Sequence, residues 1–115
     1  LLPRFAPPPW EQIVPRTWDI TDPEDVSWAL QRLRPTPFRH FTTPVRLENP
    51  AAQQLPRTYI RCTRWPHPGF DRFAQAAEDS PGWRLRRLDA SHIAYVTSPA
   101  DLAAALLELL DTPDA

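Results

Sequence analysis

The sequence predicts a mixed α/β chain whose core is two parallel strands with helices. Three observations lead there. Residues 58–62 and 83–88 are two short segments with strand character. A helical period over residues 69–79 separates them. A second helical stripe follows the later strand, so the order is strand, helix, strand, helix. Two strands joined by a helix run parallel, and such sheets need both faces covered. Two strands make half of an α/β sandwich, so the other half is expected from a further stretch of chain or a second chain.

The chain of 115 residues divides at about residue 50, into 1–50 and 51–115. Residues 1–21 hold five Pro and two Trp without sustained periodicity. They read as an irregular segment packed on another surface, with Pro7-Pro8-Pro9 fixing an extended path. A helix then starts: Asp22 caps it, Pro23 suits its first position, and Glu24 and Asp25 favour its positive end. Val26, Ala29, Leu30 and Leu33 share one face, and Pro35 and Pro37 stop the helix. Residues 37–42 form one more turn carrying Phe38 and Phe41, closed by Pro44.

In the second half, Thr58, Tyr59, Ile60, Arg61 and Cys62 form a strand. Phe70, Phe73, Ala74 and Ala77 mark one face of the helix over 69–79, which Ser80-Pro81-Gly82 breaks. Residues 83–88 alternate imperfectly and read as a strand, followed by a loop from Asp89 to His92. Ser98 and Pro99 open a last helix, whose buried stripe is Leu102, Ala105, Leu106 and Leu109.

Composition excludes several classes of function. All 13 basic residues are Arg, which fits a GC-rich coding sequence, and the net charge is −1. Near-neutrality argues against a nucleic-acid partner, and Arg86-Arg87 reads as a solvated strand end. Cys62 stands alone, the longest apolar run ends at Glu108, and the start carries no signal-peptide pattern. A cytoplasmic protein without a membrane partner is expected. The chain has no Met and begins at Leu1, so it is expected to be part of something longer or processed. Cys62, His67 and His92 fit no standard zinc spacing, and Pro flanks His67 on both sides. Neither a metal nor an organic cofactor is expected.

Reactive groups gather at the carboxyl edge of open α/β sheets. Two loops lie there: Thr63-Arg64-Trp65-Pro66-His67-Pro68 and Asp89-Ala90-Ser91-His92-Ile93. His92, between the last strand and the last helix, is either a general base or a histidine that caps and packs its loop. Trp10, Trp18, Trp28, Phe38 and Phe41 either line an apolar pocket or hold the first half to its neighbour.

The segment Leu88-Asp89-Ala90-Ser91-His92-Ile93-Ala94-Tyr95-Val96-Thr97-Ser98-Pro99, with the apolar helix after it, resembles the C-terminal end of an α/β-hydrolase. The resemblance is to the branch of plant methyl esterases, hydroxynitrile lyases and bacterial esterase-like members. Residues 55–63 resemble that family's penultimate core strand, and Pro81-Gly82-Trp83-Arg84 the turn into its last strand. Thr21-Asp22-Pro23, Leu33-Arg34-Pro35-Thr36-Pro37 and Pro44-Val45 resemble the cap inserted over the active site. In all, residues 19–110 are covered.

The resemblance implies the C-terminal part of a hydrolase fold: a cap or lid over 1–50, and the last βαβα part of the core over 51–115. It implies that His92 is the triad histidine of a serine hydrolase acting on small apolar carboxylic esters. Trp10, Trp18, Trp28, Phe38 and Phe41 would then line the substrate pocket. The nucleophile elbow Gly-x-Ser-x-Gly is not written in these residues, since Gly occurs only at 69 and 82. It is expected in an N-terminal half, upstream in the same chain or as a separate subunit, without which the chain is inactive. Asp71 is the nearest carboxylate after the earlier strand and a candidate for the triad acid; an Asp of the other half is the alternative. Ser91 and Ile93 depart from the family's pattern around the histidine. Those departures keep two further readings: a non-catalytic interaction protein on the same fold, and a lyase or cyclase in which His92 shuttles a proton.

Overall fold

A computed structural model describes residues 5–6 and 9–111. It falls into two compact units, Leu1–Glu48 and Asn49–Ala115.

In the first unit, β1 (Phe5–Ala6) pairs antiparallel with β2 (Thr36–Pro37). Between them lie α1 (Trp10–Arg16) and α2 (Pro23–Arg32), and α3 (Arg39–Thr42) follows β2. The helix α1 corrects the expectation of an irregular start. Trp10, Ile13 and Val14 follow a helical spacing that the surrounding prolines obscure in the sequence. Pro9 precedes the helix, and its carbonyl accepts from the Gln12 and Ile13 N–H groups at 2.9 and 3.0 Å. Pro15 sits in the last turn, where it withholds its N–H only from the carbonyl of exposed Glu11. Val14 and Ile20, at 0% and 1% exposure, are this unit's anchors. The extended path expected for Pro7-Pro8 lies outside the described residues.

The capping chemistry of α2 is as the sequence predicts. The Asp22 carboxylate accepts from the N–H groups of Glu24 and Asp25 at 2.9 and 3.2 Å, and Pro23 opens the helix. Ala29 is buried, while Val26, Leu30 and Leu33 are half-buried. Leu33 is itself extended and ends the helix two residues before Pro35.

The second unit begins with a 3-10 turn at Pro50–Gln54, capped by Asn49. Next come β3 (Arg57–Cys62), α4 (Pro68–Glu78), β4 (Trp83–Leu88), α5 (Ala94–Thr97) and α6 (Pro99–Asp111). The two strands are parallel, in a register that runs from Arg57 opposite Trp83 to Cys62 opposite Leu88. The unit is therefore α/β. Among the described residues no further strand joins this pair.

The two faces of the pair are covered by different helices. Ile60, Cys62 and Leu88 pack with Ala90, Ala94, Leu102 and Ala105, which puts α6 on one face. Arg61 meets Asp71 and Arg87 meets Glu78, which puts α4 on the other. The split follows from the period of two along each strand, since neighbouring residues point to opposite faces. It also explains why alternation in β4 is imperfect. Arg86 and Arg87 each reach over the sheet to a helix carboxylate, Glu108 at 2.6 Å and Glu78 at 3.5 Å. No helix among the described residues is long and apolar enough to cross a membrane.

Candidate functional site

Both loops at the carboxyl edge are tied to each other by backbone bonds that prolong the ladder. The N–H of Thr63 donates to the Leu88 carbonyl at 2.9 Å, and that of Arg64 to the Ala90 carbonyl at 3.1 Å. The Arg64 guanidinium then holds Asp89 through its carboxylate at 3.0 Å and its carbonyl at 2.8 Å. The loop after β3 is thereby held against the loop that carries His92.

His92 has a fixed backbone. Ser91 and Ile93 on either side are buried, as is Ala94. The Ser91 hydroxyl shares a hydrogen bond of 2.7 Å with Thr97, and the Val96 and Thr97 N–H groups close a turn on the Ile93 carbonyl. This turn, α5, begins two residues after His92. Ser91 is thus committed to anchoring the loop.

The imidazole stands in a group of four rings. Its centroid is 4.5 Å from Trp65 and 5.1 Å from Phe70, and Trp65 and Phe70 are 5.5 Å apart. These three rings form a triangle, so His92 packs beside both partners and is not sandwiched between them. His67 stacks on Trp65 at 4.8 Å and meets Phe70 at 5.0 Å. His67 also caps α4: its Nδ1 accepts from the Gly69 N–H at 3.2 Å, which leaves the proton of the neutral ring on Nε2.

Burial pushes the His92 pKa below the ordinary histidine value, and the adjacent His67 and Arg61 push it further down. The imidazole is neutral at pH 7 and able to accept a proton. Among the described residues it makes no side-chain hydrogen bond, and Trp65 and Phe70 are its ring contacts.

Asp71, the candidate acid, lies in the first turn of α4 with its carboxylate 2.8 Å from the Arg61 guanidinium. The structure brings it to Arg61 and not to His92. Arg61 is buried at 6% exposure and also donates to the carbonyls of Trp65, at 2.9 Å, and of Cys62. Cys62 lies near the same edge, and burial pushes its thiol pKa up. No three His, Cys, Asp or Glu side chains among the described residues gather to hold a metal ion.

The other candidate residues lie in the first unit. Trp10 and Trp18 meet at 5.5 Å, tilted by 44°. Trp28 is half exposed under the Arg32 guanidinium at 4.3 Å. Phe38 is half-buried and Phe41 is exposed.

The sequence places the 63–68 loop at this edge, with His67 weighed there only as a metal ligand and Trp65 given no role. The available signal was the run Trp65-Pro66-His67-Pro68-Gly69-Phe70, placed where β3 ends. Comparison with known proteins found no matching protein-family model, no matching curated protein and no matching solved structure.

Proposed function

We propose that this chain is the C-terminal portion of a serine-type α/β-hydrolase acting on small apolar carboxylic esters, with His92 as its general base. The observation that carries this reading is the His92 imidazole, packed against Trp65 and Phe70 at the carboxyl edge of a parallel strand pair with helices on both faces. The half-exposed apolar side chains of Phe73 and Trp83, and Leu107 on α6, give the missing strands and helices of the sandwich a surface to cover.

In the reaction, a serine of the N-terminal half attacks the ester carbonyl. His92 takes the hydroxyl proton as the carbon–oxygen bond forms. It gives that proton to the departing alkoxide as the ester bond breaks, leaving an acyl-enzyme. In the second step water loses a proton to His92 as it attacks the acyl carbon. The bond from that carbon to the serine oxygen then breaks, the serine oxygen takes the proton back from His92, and the acid leaves. Because Asp71 is engaged by Arg61, the carboxylate that orients the imidazole comes from the N-terminal half. Trp65 and Phe70 beside His92 offer an apolar wall to the substrate.

The test joins this chain to the segment carrying the nucleophile elbow and follows hydrolysis of p-nitrophenyl butyrate. The His92→Ala variant is expected to lose about 10³-fold or more in kcat. Equal rates would remove His92 from the mechanism.

One observation favours a second reading, a non-catalytic interaction protein on the same architecture: among the described residues no carboxylate meets His92. The same assay separates them, since an interaction protein shows no hydrolysis and yet retains its companion chain.

A further inference from the structure

The rings around His92 are not a random apolar patch, because the first of them is itself pinned. Trp65 is held through its backbone carbonyl by Arg61, 2.9 Å away. Arg61 is buried and ion-paired with Asp71, so its guanidinium has little freedom. Phe70 sits one residue before Asp71 in the first turn of α4, which His67 caps. The ring contacts of His92 are therefore fixed from β3 and from α4 at once.

We infer that Trp65 is a positioning residue for His92, held by Arg61, so that ring packing within this chain sets the orientation of the imidazole. An imidazole without a hydrogen bond among the described residues is free to turn about its bond to Cβ unless its neighbours prevent it. Contact at 4.5 Å with an indole tilted by 34°, and at 5.1 Å with a phenyl ring at 26°, restricts that turn. A nucleophile and an acid meet the imidazole at its two nitrogens, in the plane of the ring, so a restricted turn fixes the direction of both approaches. The same packing shields the ring from water and favours its neutral form. The purpose of this arrangement, presenting a general base, rests on the functional reading above. Its geometry does not.

The charged and titratable groups bearing on His92 are Arg61 from β3 and His67 from the start of α4. Arg61 is held by the Trp65 backbone carbonyl, which the Trp65 variants keep, whereas His67 stacks on the indole at 4.8 Å. The titrations are therefore read in a His67→Asn background, which retains a capping side chain for α4 and removes the second imidazole, so that a change at His92 reports on the indole.

The experiment is NMR of the full chain, with any companion it occurs with. Cross-relaxation between indole and His92 ring protons is expected in the wild type. The His92 titration should lie below the ordinary histidine range. Trp65→Phe should keep it there, and Trp65→Ala should move it up toward that range. Absence of the indole–imidazole cross-peaks would overturn the inference, as would an unchanged titration in a folded Trp65→Ala chain. If that variant does not fold, the wild-type cross-peaks decide alone. Ester hydrolysis is a separate readout: cross-peaks without activity keep the positioning role and sink the hydrolase reading, and activity without cross-peaks does the reverse.

Discussion

The guanidinium of Arg61 reaches the carboxylate of Asp71 at 2.8 Å and joins the carboxyl end of β3 to the first turn of α4. The two partners are unequal. The Arg61 side chain is 7% exposed and that of Asp71 61% exposed. Water already solvates much of the carboxylate, so its loss is modest, whereas the arginine also supplies the carbonyls of Trp65 and Cys62.

Substitution should expose this asymmetry. Asp71→Ala is expected to cost about 1 kcal/mol, because a hydrogen bond to a charged group is lost at a solvated site. Arg61→Ala should cost about 3 kcal/mol, through lost packing and two carbonyls left without their donor. Urea unfolding followed by circular dichroism measures both. Equal costs would show that the pair acts as an exposed ion pair and that Arg61 is not the keystone of this edge.

The low pKa of His92 makes stability depend on pH. Burial, His67 and Arg61 keep the folded imidazole neutral where an ordinary histidine, with a value of about 6.5, is charged. As pH falls below that ordinary value, the unfolded chain binds a proton that the folded chain does not. Stability is therefore intact above the unfolded value. It declines as pH drops toward the lower folded value, and levels off below it. His92→Gln, which does not titrate, should flatten this part of the profile between about pH 7 and the folded value. Urea midpoints across this range provide the check, and parallel profiles for wild type and His92→Gln would contradict the assignment.

The parts legible in the sequence were those with local chemistry. Asp22 before Pro23 fixes the start of α2 because capping needs only neighbouring residues. The strand segments and the helix between them dictate a parallel pair through connection length alone. The helix α1 is hidden in the sequence, since proline is a breaker everywhere except at a helix edge, and this seven-residue helix has Pro9 before it and Pro15 in its last turn. At the candidate site, the position of His92 follows from strand order. The partners of Asp71 and the meeting of Trp65, His67, Phe70 and His92 depend on how two loops cross an edge. No periodicity records that crossing.

The turn into β4 makes a prediction that rests on backbone geometry. Ser80 to Trp83 close a turn in which the Trp83 N–H donates to the Ser80 carbonyl at 3.2 Å. Pro81 occupies its second position and Gly82 its third, with φ +77°, the pattern of a type II turn. A Cβ at Gly82 would meet nothing within 4 Å, so the cost of Gly82→Ala is conformational, about 1 kcal/mol. Asn tolerates this region better, and Gly82→Asn should lose less. The Gly82 carbonyl also accepts from the Arg57 N–H at 3.2 Å, the bond from which the parallel ladder starts. A displaced turn therefore loosens the amino end of the strand pair and leaves the His92 edge in place. Hydrogen exchange should rise at Arg57 in Gly82→Ala and stay unchanged at Thr63 and Arg64. Equal protection at Arg57 in both chains would show that the turn does not set the register.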